Sequence, residues 1–318
     1  MEYIIKKTIE LTDSEQEQLL FLFNMIFKKV RPLDHFRNQF LNNPLGYSWH
    51  AMMIEAKQVV GSVSYIPSYY IVGDERHLFA LSVDAMVNEQ HRGFINFYKM
   101  VITIYNYMRE QGVVFLYVFP NDTAYSIYIK SKLLEDIGSL TTYCLPYRIG
   151  GIKPGLSIFN SFSIFFTKCY VLLASIFAER KVHHFPIEKE FETYNTTRYK
   201  RLDGDYKIIN YKGSEFVYKI MAYEGIRSAF LVDVFEKSAT NFNTAVRYII
   251  KNHVKEFDIL LYVGHLPFGH HGLLRVPQKF TPKNFHFTGK ILKKEGINDE
   301  LFFNLDNWDV NLSNYDLL

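Results

Sequence analysis

The sequence predicts two successive α/β domains of related plan, each a sheet of short strands flanked by helices. Three observations lead there. A chain of 318 residues exceeds the usual size of one domain and suits two of about 150 residues each. Along the first half, strand-like alternation and helix-like periodicity interleave in the order strand, helices, three strands, helix, strand, helix, strand. From about Thr196 the second half loosely repeats that order, which is a repeat of whole domains rather than of a short-period solenoid. The expected divisions are 1–150, a helical linker over 151–195, and 196–318. With 48% hydrophobic and 17% aromatic residues, including 23 Tyr and 28 Phe, either half can bury a core.

The opening YIIKKTIEL reads as a strand. Thr12 and Glu15 have the spacing of a capping box and start an amphipathic helix that runs to about Lys29. A short helix follows and ends at Asn42-Asn43-Pro44-Leu45-Gly46, a turn-forming cluster. WHAMMIEA and QVVGSVSYIP form a hairpin around Lys57, and HLFALSVDAMV is a buried strand. After the polar turn Asn88 to Gly93, a helix from about Ile95 to Glu110 puts Phe97, Met100, Val101, Ile104 and Tyr105 on one apolar side. VVFLYVFP is a strand, Asn121 to Lys132 a helix, and LTTYCLPYRI the last strand of the first half. In the second half RYKRLDGDY stands where HFRNQFLNNPLGY stood, and YKIINYK and EFVYKIMAYE form a strand pair. AFLVDVFE is the counterpart of LSVDAMV, followed by a helix over Asn243 to Val254, the strand DILLYVG and a strand near FHFTGKIL.

Charge and cysteine content narrow the function. The formal charge of +3 comes from 36 basic and 33 acidic residues that are well mixed, without the concentrated basic face of a nucleic-acid binder. Cys144 and Cys169 cannot build a disulfide framework, and the N-terminus lacks the pattern of a secretory signal, so the expected location is the cytoplasm. The stretch Gly264 to His271 is rich in histidine but reads as a Gly/Pro loop, and no metal is expected there. Leu156 to Phe177 is long enough to span a bilayer. Lys168 opposes spanning, at about 2.5–3.5 kcal/mol for a central lysine, and Asn160 adds to it. The segment is expected to be a helix packed between the domains, with a helix lying on a membrane surface as the alternative that Lys153, Arg180 and Lys181 suggest.

Two motifs carry chemistry. Gln90-His91-Arg92-Gly93-Phe94-Ile95-Asn96-Phe97 follows a buried strand and opens a helix, and Asn121, Ala124 and Tyr128 lie along the start of the next helix, with Asn121 and Tyr128 on roughly one face. The first resembles the Gln/Arg-x-x-Gly-x-Gly/Ala loop of the GNAT superfamily of N-acetyltransferases, with Arg92 in place but Ile95 and Phe97 at the small-residue positions. The second resembles that superfamily's Asn-x-x-Ala-x-x-x-Tyr helix. VFPNDTAYSIYIKSKL, the turn at Asn42 to Gly46, and the ending Asn307-Trp308-Asp309-Val310 with Asn314-Tyr315-Asp316 are similar to bacterial tandem, two-domain GNAT proteins.

The resemblance implies two tandem GNAT-like domains, each with a mixed, mostly antiparallel central sheet flanked by helices. It implies acetyl-CoA or another acyl-CoA as cosubstrate, and acyl transfer to the primary amine of a small molecule or amino sugar, in a setting such as polysaccharide biosynthesis. In such a site Arg92, Gly93, Phe94, Ile95 and Asn96 would hold the diphosphate on backbone N–H groups at the positive end of a helix, with Asn121 also on the cofactor side. Ile95 adds a β-branched side chain where phosphate approaches, so the loop reads equally as an ordinary strand-turn-helix. Backbone N–H groups at Met86 and Val87 would polarise the thioester carbonyl. Tyr128 would protonate the departing thiolate, a phenol of pKa about 10 donating to a thiol of about 8.5, or is simply a packed tyrosine. Asp84 and Glu89 are the nearest carboxylates for deprotonating the amine. Asp233 is followed by Val-Phe-Glu-Lys-Ser-Ala-Thr-Asn with no Arg-Gly pair, so the second domain is expected to be degenerate. The alternative is a catalytically inactive GNAT-fold binding or scaffold protein that has lost CoA binding.

Overall fold

Local sequence signals set most of the elements. Thr12 caps the first long helix by accepting the Glu15 N–H at 3.3 Å, while the Glu15 carboxylate accepts the Thr12 N–H at 2.9 Å. Three hairpins close through two-residue loops whose residues both have positive φ: Ala56-Lys57, Lys212-Gly213 and Glu224-Gly225. That turn matches the twist of the strands it joins. The computed structural model describes residues 1–201, 204–281, 283–294 and 298–315. Leu202 and Asp203 of the RYKRLDGDY stretch and Asp316 of the C-terminal motif lie outside the described residues.

In chain order the elements are β1 (Glu2–Lys7), α1 (Asp13–Phe27), α2 (Leu33–Leu41), β2 (Trp49–Glu55), β3 (Gln58–Val72), β4 (Glu75–Val87), α3 (Phe94–Glu110), β5 (Val113–Val118), α4 (Asp122–Lys130), β6 (Glu135–Ser139), β7 (Thr141–Pro146), α5 (Ile149–Ile152) and α6 (Asn160–Phe177). There follow β8 (Ile187–Lys189), α7 (Phe191–Arg201), β9 (Lys207–Tyr211), β10 (Ser214–Tyr223), β11 (Ile226–Val234), α8 (Ala239–His253), β12 (Ile259–Gly264), β13 (Leu274–Arg275), β14 (His286–Ile291) and α9 (Asp299–Phe302).

Two mixed, mostly antiparallel sheets result, each flanked by helices. The first has the order β1-β2-β3-β4-β5-β14-β6 with β8 added on β3, and the second β13-β7-β12-β11-β10-β9. Each contains a parallel pair: β4 with β5, and β11 with β12. Read from β2 and from β9, the sheets share one plan, β2-β3-β4-β5-β14-β6 against β9-β10-β11-β12-β7-β13. Each takes a strand from the other half of the sequence, β14 beside β5 and β7 beside β12. The compact units are therefore discontinuous: Met1–Gly138 with Pro186–Asp203 and His286–Asn307, and Ser139–Phe185 with Gly204–Phe285 and Trp308–Leu318.

The first core packs the α3 face Met100, Val101, Ile104, Tyr105 and Met108 on Trp49, Val63, Tyr65 and Leu116 of the sheet. The second packs Phe242, Ala245, Val246 and Ile249 of α8 on Phe216, Leu231 and Leu260. Both helices bury the apolar stripe that their periodicity marks. The segment from Pro154 behaves differently. It is the one helical stretch among the described residues long and apolar enough to cross a membrane, yet α6 buries only Ser163, Thr167, Val171 and Ala174.

One histidine ties the first unit to pH. His50 is buried, with its ring nitrogens 2.9 Å from the Thr8 hydroxyl and 2.8 Å from the Ser64 hydroxyl, against the rings of Phe36 and Phe40. Burial pushes its pKa down to about 3. The folded chain keeps His50 neutral, while the unfolded chain protonates it below about pH 6.5. Its contribution to stability is thus present above pH 6.5 and is lost as pH falls toward 3, at up to about 1.4 kcal/mol per pH unit. Urea unfolding of wild type and His50→Gln across that window is expected to show a shallower loss of stability in the variant. Equal slopes would mean that another group governs acid unfolding.

Candidate active site

The parallel ladder between β4 and β5 joins only Leu78–Leu81 to Val113–Tyr117. β4 runs on to Val87, paired beyond that point with β3 alone. The sheet is opened there into a wedge, and among the described residues no backbone segment is hydrogen-bonded into it on the β5 side of β4.

A bulge bends β4 at this point. Ser64 faces Val83 and Ser62 faces Met86, so Asp84 and Ala85 stand opposite Val63 alone, and Asp84 adopts the left-handed φ of 50°. An aspartate tolerates that conformation better than most residues, but it still carries strain. Arg31 holds it: one guanidinium nitrogen contacts Asp84 Oδ2 and the other lies 3.2 Å from Oδ1, while the guanidinium stacks 3.5 Å from the centre of the Phe23 ring. Both partners are mostly buried. Asp84 is thus a bidentate partner of Arg31, a residue that sequence reasoning missed because it lies 53 positions away.

Beyond the bulge, Met86 is buried. Asn88 accepts the Gln90 N–H at 3.1 Å and starts a short 3-10 turn. Glu89 and Arg92 form an exposed pair at 3.4 Å, and Arg92 Nε reaches the Val87 carbonyl at 3.5 Å. Gly93 is extended, and a Cβ at that position would meet nothing within 4 Å. No side chain caps α3, and its first-turn N–H groups, those of Phe94, Ile95 and Asn96, have no acceptor within the helix. Phe94 and Ile95 are 52% and 67% exposed, so neither side chain fills the core behind the loop. Asn96 accepts a hydrogen bond from the Tyr3 hydroxyl at 3.2 Å.

Asn121 is the N-cap of α4, accepting the Ala124 N–H at 2.9 Å. That capping bond uses the same side chain that the motif assigns to the cofactor. Tyr128, about two turns along, is 4% exposed and packs with Phe97 at 5.9 Å between ring centres. Burial pushes its phenol well above the usual tyrosine pKa. It belongs to a buried tyrosine cluster with Tyr65 and Tyr105, whose rings meet edge to face at 6.4 Å between centres, and Tyr65 stands opposite Ser82, the first β4 residue beyond the parallel ladder. Tyr65, Tyr105 and Ser82 are therefore additional residues at the base of the wedge.

Residues 7–131, from the end of β1 past α4, match the family described as acetyltransferase (GNAT) domain. Solved structures similar to the chain include a conserved protein of unknown function from Enterococcus faecalis, described as a probable N-acyltransferase, at 13% identity and a TM-score of 0.57, covering 92% of this chain and 73% of that one. A GCN5-related N-acetyltransferase from Anabaena variabilis is similar at 14% identity and TM-score 0.59, covering 91% and 73%. Another from Kribbella flavida is similar at 10% and 0.58, covering 91% and 71%. The chain has the GNAT fold. It has it twice, in two similar sheet-and-helix modules. Among curated proteins none matches the sequence.

The second GNAT module repeats the wedge and closes it. The β11–β12 ladder joins only Ser228–Phe230 to Ile259–Leu261, and a bulge again interrupts the neighbouring antiparallel pair, between Val217 and Tyr218. Here the C-terminal tail enters. The His265 N–H donates to the Val310 carbonyl at 3.1 Å and the Leu312 N–H to the Val263 carbonyl at 3.2 Å, which binds the tail along the end of β12. On the β11 side, Asn311 Nδ2 and Ser313 Oγ donate to the two oxygens of Asp233 at 2.7 and 2.8 Å. Lys237 contacts Asp233 and lies 3.3 Å from Asp309. Burial acts to lower the Lys237 pKa, but Asp233 and Asp309 outweigh it and hold the ammonium above its ordinary value. Trp308, Val310, Asn311, Leu312 and Ser313 are all buried.

Removing one partner of a buried pair strands the other, at a typical cost of about 3–5 kcal/mol. Asp233→Ala is accordingly expected to lower the unfolding free energy of the second module by about that amount, followed by Trp308 emission in a Trp49→Phe background. A loss below about 1 kcal/mol would mean that apolar burial of the tail, rather than the charge network, keeps the wedge closed.

Proposed function

We propose that the first GNAT module is an acyl-CoA-dependent N-acyltransferase, with acetyl-CoA as the expected donor and the primary amine of a small molecule or amino sugar as acceptor. The observation that carries this reading is the contrast between the two wedges: the second is filled by the chain's own tail, whereas no backbone segment enters the first among the described residues and the helix that follows it, α3, starts without a side-chain cap.

The residues fit an acyl-CoA in part. The N–H groups of Phe94, Ile95 and Asn96, with the positive end of the α3 dipole and the exposed Arg92, suit a diphosphate. Ile95 and Phe97 do not offer the close approach that glycine gives, but Ile95 is 67% exposed and does not pack into the core behind the loop. Backbone N–H groups around Met86 and Val87 would stabilise negative charge developing on a thioester oxygen. Tyr128 stays protonated at every physiological pH and would donate its proton to the leaving thiolate. Because Asp84 is committed to Arg31, Glu89 is the carboxylate left to accept the amine proton.

A second reading, a GNAT-fold binding protein without catalysis, is favoured by the burial of Tyr128 and the capping use of Asn121. Titration calorimetry with acetyl-CoA separates the two. Micromolar binding that weakens by about tenfold or more in Arg92→Ala, the loss of a charged hydrogen bond, supports the enzyme. No binding at millimolar ligand leaves the binding-protein reading. In a turnover assay with an amine identified by screening, Tyr128→Phe is expected to lower kcat by about a hundredfold, the low end for a general acid, and to leave CoA affinity unchanged. Unchanged turnover would remove Tyr128 from the mechanism.

A further inference from the structure

We infer that α6 and the basic groove beside it form a docking surface for an anionic lipid bilayer, with the helix lying in the membrane surface rather than crossing it. All the residues concerned belong to the second unit, and the inference stands independently of the acyltransferase reading.

The helix is unusually apolar on its outward side for a protein in water. Its buried face is narrow and half polar, formed by Ser163, Thr167, Val171 and Ala174, with the two hydroxyls donating to the Pro146 carbonyl at 2.7 and 3.1 Å. Its outward face carries Phe162, Phe165, Phe166, Leu173, Ile176 and Phe177, all exposed, with Phe165 and Ile176 at 67% and 64%. At 100° per residue these six fall in one stripe opposite Thr167. A surface helix of a soluble domain presents its polar side outward and its apolar side inward. The inner face stays bonded to the protein, and Lys168 interrupts the apolar run midway, so the geometry suits a helix half-sunk in an interface and not a span.

Charge identifies what covers the stripe. From Gly151 to Phe185 the chain carries Lys153, Lys168, Arg180 and Lys181 against Glu179 as its one carboxylate. On one flank of the stripe, Lys168 joins Lys212, Arg247 and Lys251 around a groove of about 540 Å³ whose lining contains no Asp or Glu. Among the described residues none of these four cations is in an ion pair. A second copy of the chain would set like charges against each other, since a two-fold interface places a patch on itself. An anionic bilayer supplies an apolar interior for the stripe and phosphates for the groove, with Lys and Arg acting through the surface potential.

The test is flotation of the full-length protein with phosphatidylcholine vesicles, with and without phosphatidylglycerol. At least about tenfold more protein is expected to float with the anionic vesicles, and the difference should shrink as salt is raised. Phe165→Glu with Ile176→Glu, both at exposed positions, should abolish flotation while leaving the circular dichroism spectrum and melting temperature unchanged. Arg247→Ala with Lys251→Ala should remove the preference for anionic vesicles. Wild type that stays unbound to anionic vesicles, or a glutamate pair that floats as wild type does, overturns the inference. A dimer in light scattering that the glutamate pair dissociates, without flotation, also overturns it and assigns the stripe to a second copy.

Discussion

The parallel ladder between β4 and β5 ends at Leu81, and the candidate chemistry of the first module depends on that end. A sheet that stayed paired to the tip of β4 would satisfy its backbone groups internally and leave nothing to bind a ligand. The bulge at Asp84 bends β4 away from its neighbour, and Arg31 fixes the bulge by gripping both carboxylate oxygens. The pair sits on the face of Phe23, which excludes water and raises the strength of the interaction. Arg31 is itself oriented by Asn24, whose side chain accepts the Arg31 N–H at 2.9 Å. A chain of contacts from α1 thus shapes a strand edge to which it contributes no residue.

The second module meets the same constraint with the opposite solution. Its ladder also stops early, but the exposed backbone is satisfied by Val310 and Leu312, and the aspartate beside the bulge is satisfied by Asn311, Ser313, Lys237 and the Val234 N–H. A buried carboxylate with that many donors is tolerable where a half-satisfied one would not be. The sequences LSVDAMV and FLVDVFE carry the same Val-Asp pair, at Val83-Asp84 and Val232-Asp233. In one module the aspartate binds an arginine and the wedge stays open. In the other it binds the tail and the wedge closes.

What could be read in advance was local. The capping box at Thr12, the hairpin about Lys57, the stripe along α3 and the Asn-to-Tyr spacing of α4 all rest on residues within two helical turns or across a tight turn. The unread features are pairings over long separations. β7 and β14 look alike in sequence to the strands of their own halves, and only the folded chain shows that each lies in the other sheet. Arg31 and Asp84 give no spacing signal, and neither do Asn311 and Asp233, 78 positions apart. Periodicity also failed to say which side of α6 faces the protein, because the large apolar residues lie outward and the buried face is the small set Ser163, Thr167, Val171 and Ala174.

The asymmetry between the wedges carries an energetic consequence. A module that closes its wedge with its own tail makes those hydrogen bonds in every folded molecule, and its stability is independent of any ligand. A module that leaves the wedge open gives those groups to water, and any ligand that bound only the folded state there would add RT ln(1 + [L]/Kd) to its stability. The chain thus holds one module whose wedge is closed by its own tail and one whose strand edge and helix start have no such backbone partner among the described residues. Arg92, Gly93 and Tyr128 all belong to the module whose wedge no backbone segment enters among the described residues.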